Sequence, residues 1–172
     1  MDHFHQLIQK RESCRQFNGR AVEKEKIDTC LKAARLAPSA CNGQPWHFYV
    51  VTHEEHIQKQ AKNMQAFNSK AGAFIVVVEE KTSITSRIGS KLKNNDFSQI
   101  DIGIVTAYIT LQATELGLSS CIIGWFDEMK TKTLLDIPKN KRIRIIISLG
   151  YTDEEELRKK QRKSMEETTT YL

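Results

Sequence analysis

Two short segments of this chain carry side chains that could bind a phosphorylated, planar molecule. In the first, Arg11, Ser13 and Arg15 alternate along the chain. In an extended backbone, their two guanidinium groups and the hydroxyl would point to the same side. Such a set suits a phosphate monoester. The alternative is a solvated basic stretch at the end of a helix, where cations meet the negative end of the helix dipole.

The second segment is a run of small and polar residues that leads into an apolar stretch. It spans residues 37–46, and the apolar residues 47–51 follow it. Pro38 restricts the local turn, and the Ser39 hydroxyl can both donate and accept a hydrogen bond. Small residues let a flat ligand approach the backbone closely. We therefore predict that the two segments form a pocket for one phosphorylated, flat cofactor.

Length and composition predict an ordinary globular protein. The chain has 172 residues, of which 40% are hydrophobic and 27% charged. This is enough to form a core, and we expect a single domain over residues 1–172. No apolar run approaches the length of a membrane span, which is about 18 residues. The first residues lack the cationic and apolar regions of a secretory signal, so we expect a cytoplasmic protein.

The basic character of the chain does not by itself indicate a nucleic-acid partner. The formal net charge is +5 and the isoelectric point is about 9.0. However, the cations alternate with acids, as in residues 23–26, which is typical of a solvated helix face. No basic face with interleaved aromatic residues is visible, so we expect no nucleic-acid binding. The positive excess suits small anionic ligands instead.

The cysteines and histidines indicate neither a disulfide framework nor a metal site. The four cysteines form no CxxC motif, and reduced thiols fit the expected compartment. Cys30 lies on the apolar side of a predicted helix. Cys14 and Cys41 lie in the two candidate segments, where packing as small residues and a redox role both stay open. The five histidines show no ligand spacing, and we expect no metal.

Hydrophobic periodicity predicts the elements that would position these segments. Apolar residues at helical spacing predict helices near 2–10, 23–36 and 98–117. Residues 54–66 are predicted to form a polar surface helix, and a further helix is expected to open after Asp127 and to be stopped by Pro138. Short apolar runs predict strands at 47–52, 74–78, 119–123 and 143–149. The helix at 98–117 is apolar nearly all round, so it must be buried. Residues 80–97 show no regular apolar pattern, and we expect them to form a loop.

This mixture of helices and buried strands predicts an α+β fold, with a sheet covered by helices. The last twenty residues, from about 153 to 172, are highly charged and have little core pattern. We expect them to form an extended arm that contacts something outside the domain core.

Taken in order, these segments resemble the FMN-dependent nitroreductase family. The resemblance begins with Arg-x-Ser-x-Arg at 11–15 and continues through Pro38-Ser39 and the Asn-x-Gln-Pro-Trp motif at 42–46. It ends with Ile123-Gly124 and the basic tail at 160–163. The resemblance implies a central mixed or antiparallel sheet, a long buried central helix and a C-terminal arm. It also implies an obligate homodimer in which the arm embraces the partner and each FMN lies in the interface.

The resemblance also implies roles for the basic segment and for the tail. Arg11 and Ser13 would hold the phosphate and ribityl chain of FMN. Arg15 would lie near the pyrimidine edge of the flavin, where a cation stabilises the reduced anion. Lys160 and Arg162 match a Lys-x-Arg element that closes on the phosphate.

The remaining implied contacts lie along the flavin ring. The residues that would contact a ring face or edge are Pro38, Ser39, Ala40, Asn42 and Gln44. The amides of Asn42 and Gln44 could instead stabilise the turn. Ile123 and Gly124 would bring backbone N–H groups near flavin N5, although Gly124 could also be a plain turn glycine. Gln65 and Asn68 are weaker candidates for a polar contact to the flavin.

The function that the resemblance implies is an FMN-dependent oxidoreductase. Hydride would pass from NAD(P)H to flavin N5 and then to a nitroaromatic, a quinone or a related electron-poor acceptor, in ping-pong order. No catalytic side chain is required, since the flavin carries the chemistry. The alternatives are a specialised member, such as a dehalogenase or an enoate-type reductase, and a flavin-binding regulatory module without turnover.

Overall fold

The computed structural model describes residues 2–64, 69–81, 95–154 and 156–172. Its four strands are β1 (Trp46–Val51), β2 (Ala73–Glu79), β3 (Ser119–Ile123) and β4 (Arg142–Gly150), in the sheet order β1-β2-β4-β3. All three neighbouring pairs are antiparallel. The described strands therefore form the antiparallel version of the expected sheet.

Helices cover both faces of this sheet. The helices of the described residues are α1 (His3–Lys10), α2 (Lys24–Ala34), α3 (Glu54–Lys62), α4 (Phe97–Glu115), α5 (Glu128–Leu134) and α6 (Met165–Thr168), and Ala40–Asn42 form a 3-10 turn. Each helix that the periodicity predicted is present. The helix predicted over 54–66 ends earlier, at Lys62, and it is not only a surface helix, because Ile57, Gln60 and Ala61 are buried. Residues 82–94, most of the predicted loop, lie outside the described residues.

Strand β2 forms the centre of the core because it is buried on both faces. Ile75 and Val77 pack in one apolar cluster with α2 and α4. The alternating residues Phe74, Val76 and Val78 pack in a second cluster with α3. This division follows from the two-residue period of a strand. It confirms the prediction of a buried strand at 74–78.

Helix α4 is only partly buried in the single chain. Seven of its residues are buried against the core. Ile100 and Tyr108 on the same helix are exposed, with 49% and 38% of their surface accessible. The prediction that this helix is buried is therefore only partly correct within one subunit, since α2 and the sheet cover one side of it. Helix α1 likewise buries none of its residues.

The chain after β4 runs along the surface. It contains one short helix, α6, and the described residues beyond Glu156 are exposed or partly exposed. This agrees with the predicted arm. Within the described residues, no helix is both long and apolar enough to cross a bilayer.

Candidate functional site

The basic segment leaves the end of α1 and is fixed against β3. Arg11 N donates to Leu7 O at 3.0 Å, which closes the helix. Two residues later, Ser13 forms a parallel bridge with Ser120 of β3, and Cys14 N donates to Ser120 O at 2.9 Å. Because β3 is part of the sheet, this bridge gives the segment a rigid support.

Part of the guanidinium group of the half-buried Arg11 lies inside the protein without an acceptor among the described residues. Its Nε and Nη2 atoms are buried, and neither has a hydrogen-bond partner among the described residues. Burial lowers the pKa of Arg11 from its usual value. Leaving a buried charged donor unpaired is costly, so an anion bound at this position would remove the penalty. These donors are therefore suited to an anionic group such as a phosphate.

Cys121 of β3 lies within the electrostatic influence of all three predicted side chains of the basic segment. Burial raises the pKa of the Cys121 thiol, and the charges of Arg15 and Arg11 and the Ser13 side chain act in the opposite direction. Sequence reasoning had assigned no role to Cys121. Its position became visible only with the bridge between β3 and the segment.

The neighbouring thiol, Cys14, is packed inside the protein. It is 6% exposed, and its pKa is raised chiefly by burial. Both observations favour packing over a redox role, because a buried thiol with a raised pKa is unreactive. Cys41, in the second segment, is exposed instead.

The first part of the arm contacts the basic segment of the same chain. Arg158 donates through Nη2 to Ser13 O, and its Nε lies 3.5 Å from the Glu12 carboxylate. Lys160 Nζ donates to Gln9 O at the end of α1. Gln9 stands two residues before Arg11, so Lys160 reaches the start of the basic segment. By contrast, Arg162 is exposed and donates to its own neighbour, Gln161 O, at 2.6 Å.

The contacts of Arg158 with Glu12 and Ser13 were thus not predicted from the sequence. The available signal was a further cation of the basic tail, two residues before Lys160. The structure brings Lys160 beside the basic segment, but it does not bring Arg162 there within one subunit.

The second segment is a tight loop with a strained backbone. Cys41, Asn42 and Gln44 have φ angles of 51°, 51° and 44°. Each non-glycine residue in this left-handed region costs about 1–3 kcal/mol. Partial compensation comes from the Ser39 hydroxyl, which accepts from Gln44 N at 3.0 Å. Such strain commonly marks a functional loop.

The two amide side chains of this loop bind each other. Gln44 Nε2 donates to Asn42 Oδ1 at 3.2 Å, so in the single chain these amides stabilise the turn. Trp46 begins β1 and packs against the core cluster of α2 and α4. The loop is therefore anchored at its end while Pro38 is exposed and Ser39 is partly exposed.

A buried carboxylate holds the start of this loop. Ala40 N lies 3.1 and 3.2 Å from the two carboxylate oxygens of Asp101 on α4. Asp101 is only 3% exposed. Sequence reasoning missed it because an acid within an apolar helix has no visible partner until the fold is known.

The segment after β3 lies beside open space. Ile123 ends the strand and is partly buried, and Gly124 follows it in an exposed position. Gly124 lines a cleft of ≈ 270 Å³ together with residues such as Gln99, Phe126 and Arg144. A Cβ atom added at Gly124 would meet no atom of the chain within 4 Å. The glycine is thus not needed for internal packing, and the backbone here is open to close approach by a ligand.

The candidate residues therefore fall into two groups with separate anchors. The basic segment and Ile123-Gly124 are supported by β3, whereas the loop at 38–44 is held by α4. Gln65 and Asn68 lie outside the described residues. Across the described ranges, no group of three or more His, Cys, Asp or Glu side chains is placed to hold a metal ion.

Comparison with known proteins identifies the family. A family model described as the Nitroreductase family matches residues 8–72 and 58–151. The chain belongs to the nitroreductase family. A protein of Archaeoglobus fulgidus named as an NADH dehydrogenase/NAD(P)H nitroreductase is 35% identical over 156 residues, which cover 87% of this chain and 85% of that protein. An oxygen-insensitive NADPH nitroreductase of Helicobacter pylori is 29% identical over 202 residues, covering 97% and 95%.

Solved structures of the nitroreductase family share the fold. A family protein from Clostridium difficile 630 has a TM-score of 0.82 and 31% identity, covering 99% of this chain and 98% of that one. An FMN-dependent nitroreductase from Clostridium difficile R20291 has a TM-score of 0.71 and 34% identity, covering 87% and 88%. These findings confirm the predicted family, the α+β fold and the prediction of an oxidoreductase enzyme.

Proposed function

We propose that this nitroreductase-family chain is an FMN-dependent oxidoreductase that uses NAD(P)H to reduce nitroaromatic, quinone or related electron-poor acceptors. The observation that carries the proposal is the buried Arg11 guanidinium, whose Nε and Nη2 have no acceptor among the described residues. The relatives support the rest, since one is named as an NADPH nitroreductase and one solved neighbour as FMN-dependent.

The basic segment would bind the phosphate end of the cofactor. Arg11 and Ser13 would hold the phosphate and ribityl chain, with Lys160 close by at the end of α1. Arg15, exposed and near Cys121, would add positive charge toward the pyrimidine edge. A positive charge at that edge favours the reduced form of the cofactor.

The ring would lie between the two groups of candidate residues. Pro38, Ser39 and Ala40 would contact one ring face, and the backbone at Ile123 and Gly124 would approach N5. When bound, FMN supplies hydride transfer at N5, first from NAD(P)H and then to the acceptor, which gives ping-pong kinetics. The chain itself would bind and orient the cofactor and exclude water from it. No side chain need act as an acid or base.

The separate anchoring of the two groups supports a site shared between subunits. We propose a homodimer in which the loop at 38–44 and Arg162 of one chain complete the site on the other. Exposed apolar side chains on α1 and α4 provide a surface for such an interface; they are Phe4, Ile8, Ile100 and Tyr108. Residues 1–172 would act as one domain. The arm at 153–172 would stay attached to its own basic segment through Arg158 and Lys160 and contact the partner with its remaining residues. The cytoplasmic location stays a prediction.

A visible spectrum of the purified protein tests this proposal most directly. We expect a yellow protein that releases about one FMN per chain after reconstitution and denaturation. Anaerobic addition of NADH or NADPH should then bleach the flavin band, and a nitroaromatic or a quinone should restore it. Protein that binds no FMN would refute the proposal. Stoichiometric FMN that stays oxidised in excess NADH and NADPH would instead favour the regulatory module.

The acceptor class needs a separate comparison. Turnover should be measured with nitroaromatics, quinones, halophenols and enones at matched concentrations. Faster turnover of the first two classes is expected. Turnover of halophenols or enones alone would contradict the acceptor class and favour a specialised member of the family.

A further inference from the structure

The carboxylate of Asp101 is an unusual group to find inside this fold. It is 3% exposed, and a carboxylate removed from water is costly unless it is paired or hydrogen-bonded. Within the described part of the chain, no cation pairs with it. By comparison, Glu128 in the same protein is paired with Lys132 and Arg142. The hydrogen bonds of Asp101 must therefore account for its position.

Those hydrogen bonds lead to one backbone group in the candidate cofactor loop. Both carboxylate oxygens lie within hydrogen-bond distance of Ala40 N, at 3.1 and 3.2 Å. Thr106 and Thr110, buried on the same helix, donate instead to carbonyls of α4 itself. Asp101 thus reaches out of its helix to a residue 61 positions away, whereas these two threonines do not.

The loop needs such an anchor because its backbone is strained. Cys41, Asn42 and Gln44 have φ angles of 51°, 51° and 44° without being glycine. Residues in this region persist only when surrounding contacts hold them there. A charge-assisted hydrogen bond at the start of the strained turn is one of the stronger single contacts a loop can have.

We propose that Asp101 is a positioning residue that holds Pro38, Ser39 and Ala40 where they can contact the flavin ring. This inference rests on the proposed FMN function. Asp101 acts through the Ala40 N–H and does not itself touch the cofactor. Because α4 also carries the exposed Tyr108, the same helix connects the loop to the surface proposed as the subunit interface.

Two substitutions of Asp101 and one control separate positioning from simple loss of stability. Asp101→Ala removes the acceptor, and Asp101→Asn keeps one neutral acceptor oxygen. Thr110→Val is the matched control, since Thr110 is 2% exposed on the same helix and bonds only within it. All three variants change a buried polar side chain of α4.

The measurements are FMN affinity, the spectrum of bound FMN, and hydrogen exchange of the peptide containing Ala40 in the FMN-free protein. For Asp101→Ala we expect about tenfold or greater loss of FMN affinity, a shifted flavin spectrum and faster exchange. Asp101→Asn should recover part of each effect. Thr110→Val should keep the wild-type affinity, spectrum and exchange.

Three outcomes would overturn the inference. Asp101→Ala could bind FMN within about twofold of wild type with the same spectrum, or its exchange at Ala40 could be unchanged. Equal losses in Asp101→Ala and Thr110→Val would show a general effect on the helix. If the wild-type protein binds no FMN, the proposed function fails first, and that result is distinct from FMN-binding wild type with an unaffected Asp101→Ala.

Discussion

At the scale of single residues, Arg11 is the side chain with the clearest consequence. In the proposed site, replacing it with Ala would remove a charge-assisted phosphate contact of about 1.5–3 kcal/mol. FMN affinity should therefore fall about ten- to hundredfold, as measured by titration of flavin fluorescence. Lys10→Ala is the control, because Lys10 is an exposed neighbouring cation. Equal affinity in Arg11→Ala and wild type would remove Arg11 from the site.

Arg15 should affect the redox properties of the flavin more than its binding. In Arg15→Ala the cofactor should stay bound, and its midpoint potential should become more negative because a cation near the reduced anion is lost. For a two-electron couple, the shift is about 30 mV for each 1.4 kcal/mol. A redox titration equilibrated with a reference dye measures the midpoint potential. Arg35→Ala is the control, because Arg35 is exposed. An unaltered potential would place Arg15 away from the ring.

At the scale of elements, α5 is held to β4 by one carboxylate. Glu128 Oε1 accepts from Ile143 N at 2.9 Å and from Lys132 Nζ at 2.9 Å, and Arg142 contacts Oε2. Burial raises the pKa of Glu128, but the hydrogen bonds and the charges of Lys132 and Arg142 outweigh it, so the pKa is lowered overall. Glu128 and Gly124 line the same cleft, so this network lies beside the candidate site.

This network predicts an acid-dependent stability. A carboxyl group whose folded pKa lies below its ordinary 4.5 stabilises the fold above that pH, and the contribution is lost as the pH falls through the folded value. Glu128→Gln should lower the free energy of unfolding by about 1–3 kcal/mol at neutral pH. The difference from wild type should shrink below the folded pKa.

Urea unfolding at neutral and acid pH measures this effect. Glu55→Gln is the control, because the Glu55 side chain is 75% exposed in its pair with Lys59 and such pairs contribute at most about 1 kcal/mol. A loss for Glu128→Gln that is the same at both pH values would argue against the ionised carboxylate as its cause.

At the scale of the whole molecule, the apolar surface on α1, α2 and α4 predicts self-association. A groove of ≈ 500 Å³ lies there and includes Phe4, Ala33 and Tyr108. We expect a dimer by light scattering. Tyr108→Glu should shift the protein toward monomer and lower FMN affinity at the same time, because a charge would be buried at the interface.

Met129→Glu tests whether any surface charge has the same effect. Met129 is 53% exposed on α5, away from the α1–α2–α4 groove. This variant should stay dimeric and retain FMN. A Tyr108→Glu protein that is monomeric yet binds FMN with wild-type affinity would show that the site does not need a second subunit.

Residue spacing and short motifs were sufficient to predict the local elements and the family. The β-branched run at 74–78 and the repeats of α2 and α4 are read directly from residue spacing, because secondary structure follows the periodicity of adjacent residues. The basic segment, the small-residue loop and Ile123-Gly124 were likewise visible as short motifs. Their order along the chain was enough to identify the nitroreductase family.

Contacts between residues far apart in the chain became known only from the folded structure. Asp101 and Ala40 are 61 positions apart, and Arg158 and Ser13 are 145 apart; nothing in either local sequence specifies the other. The same holds for Cys121 beside the basic segment and for the strand order β1-β2-β4-β3. Burial, unpaired donors and hydrogen-bond partners depend on how elements pack, and packing is a property of the folded chain as a whole.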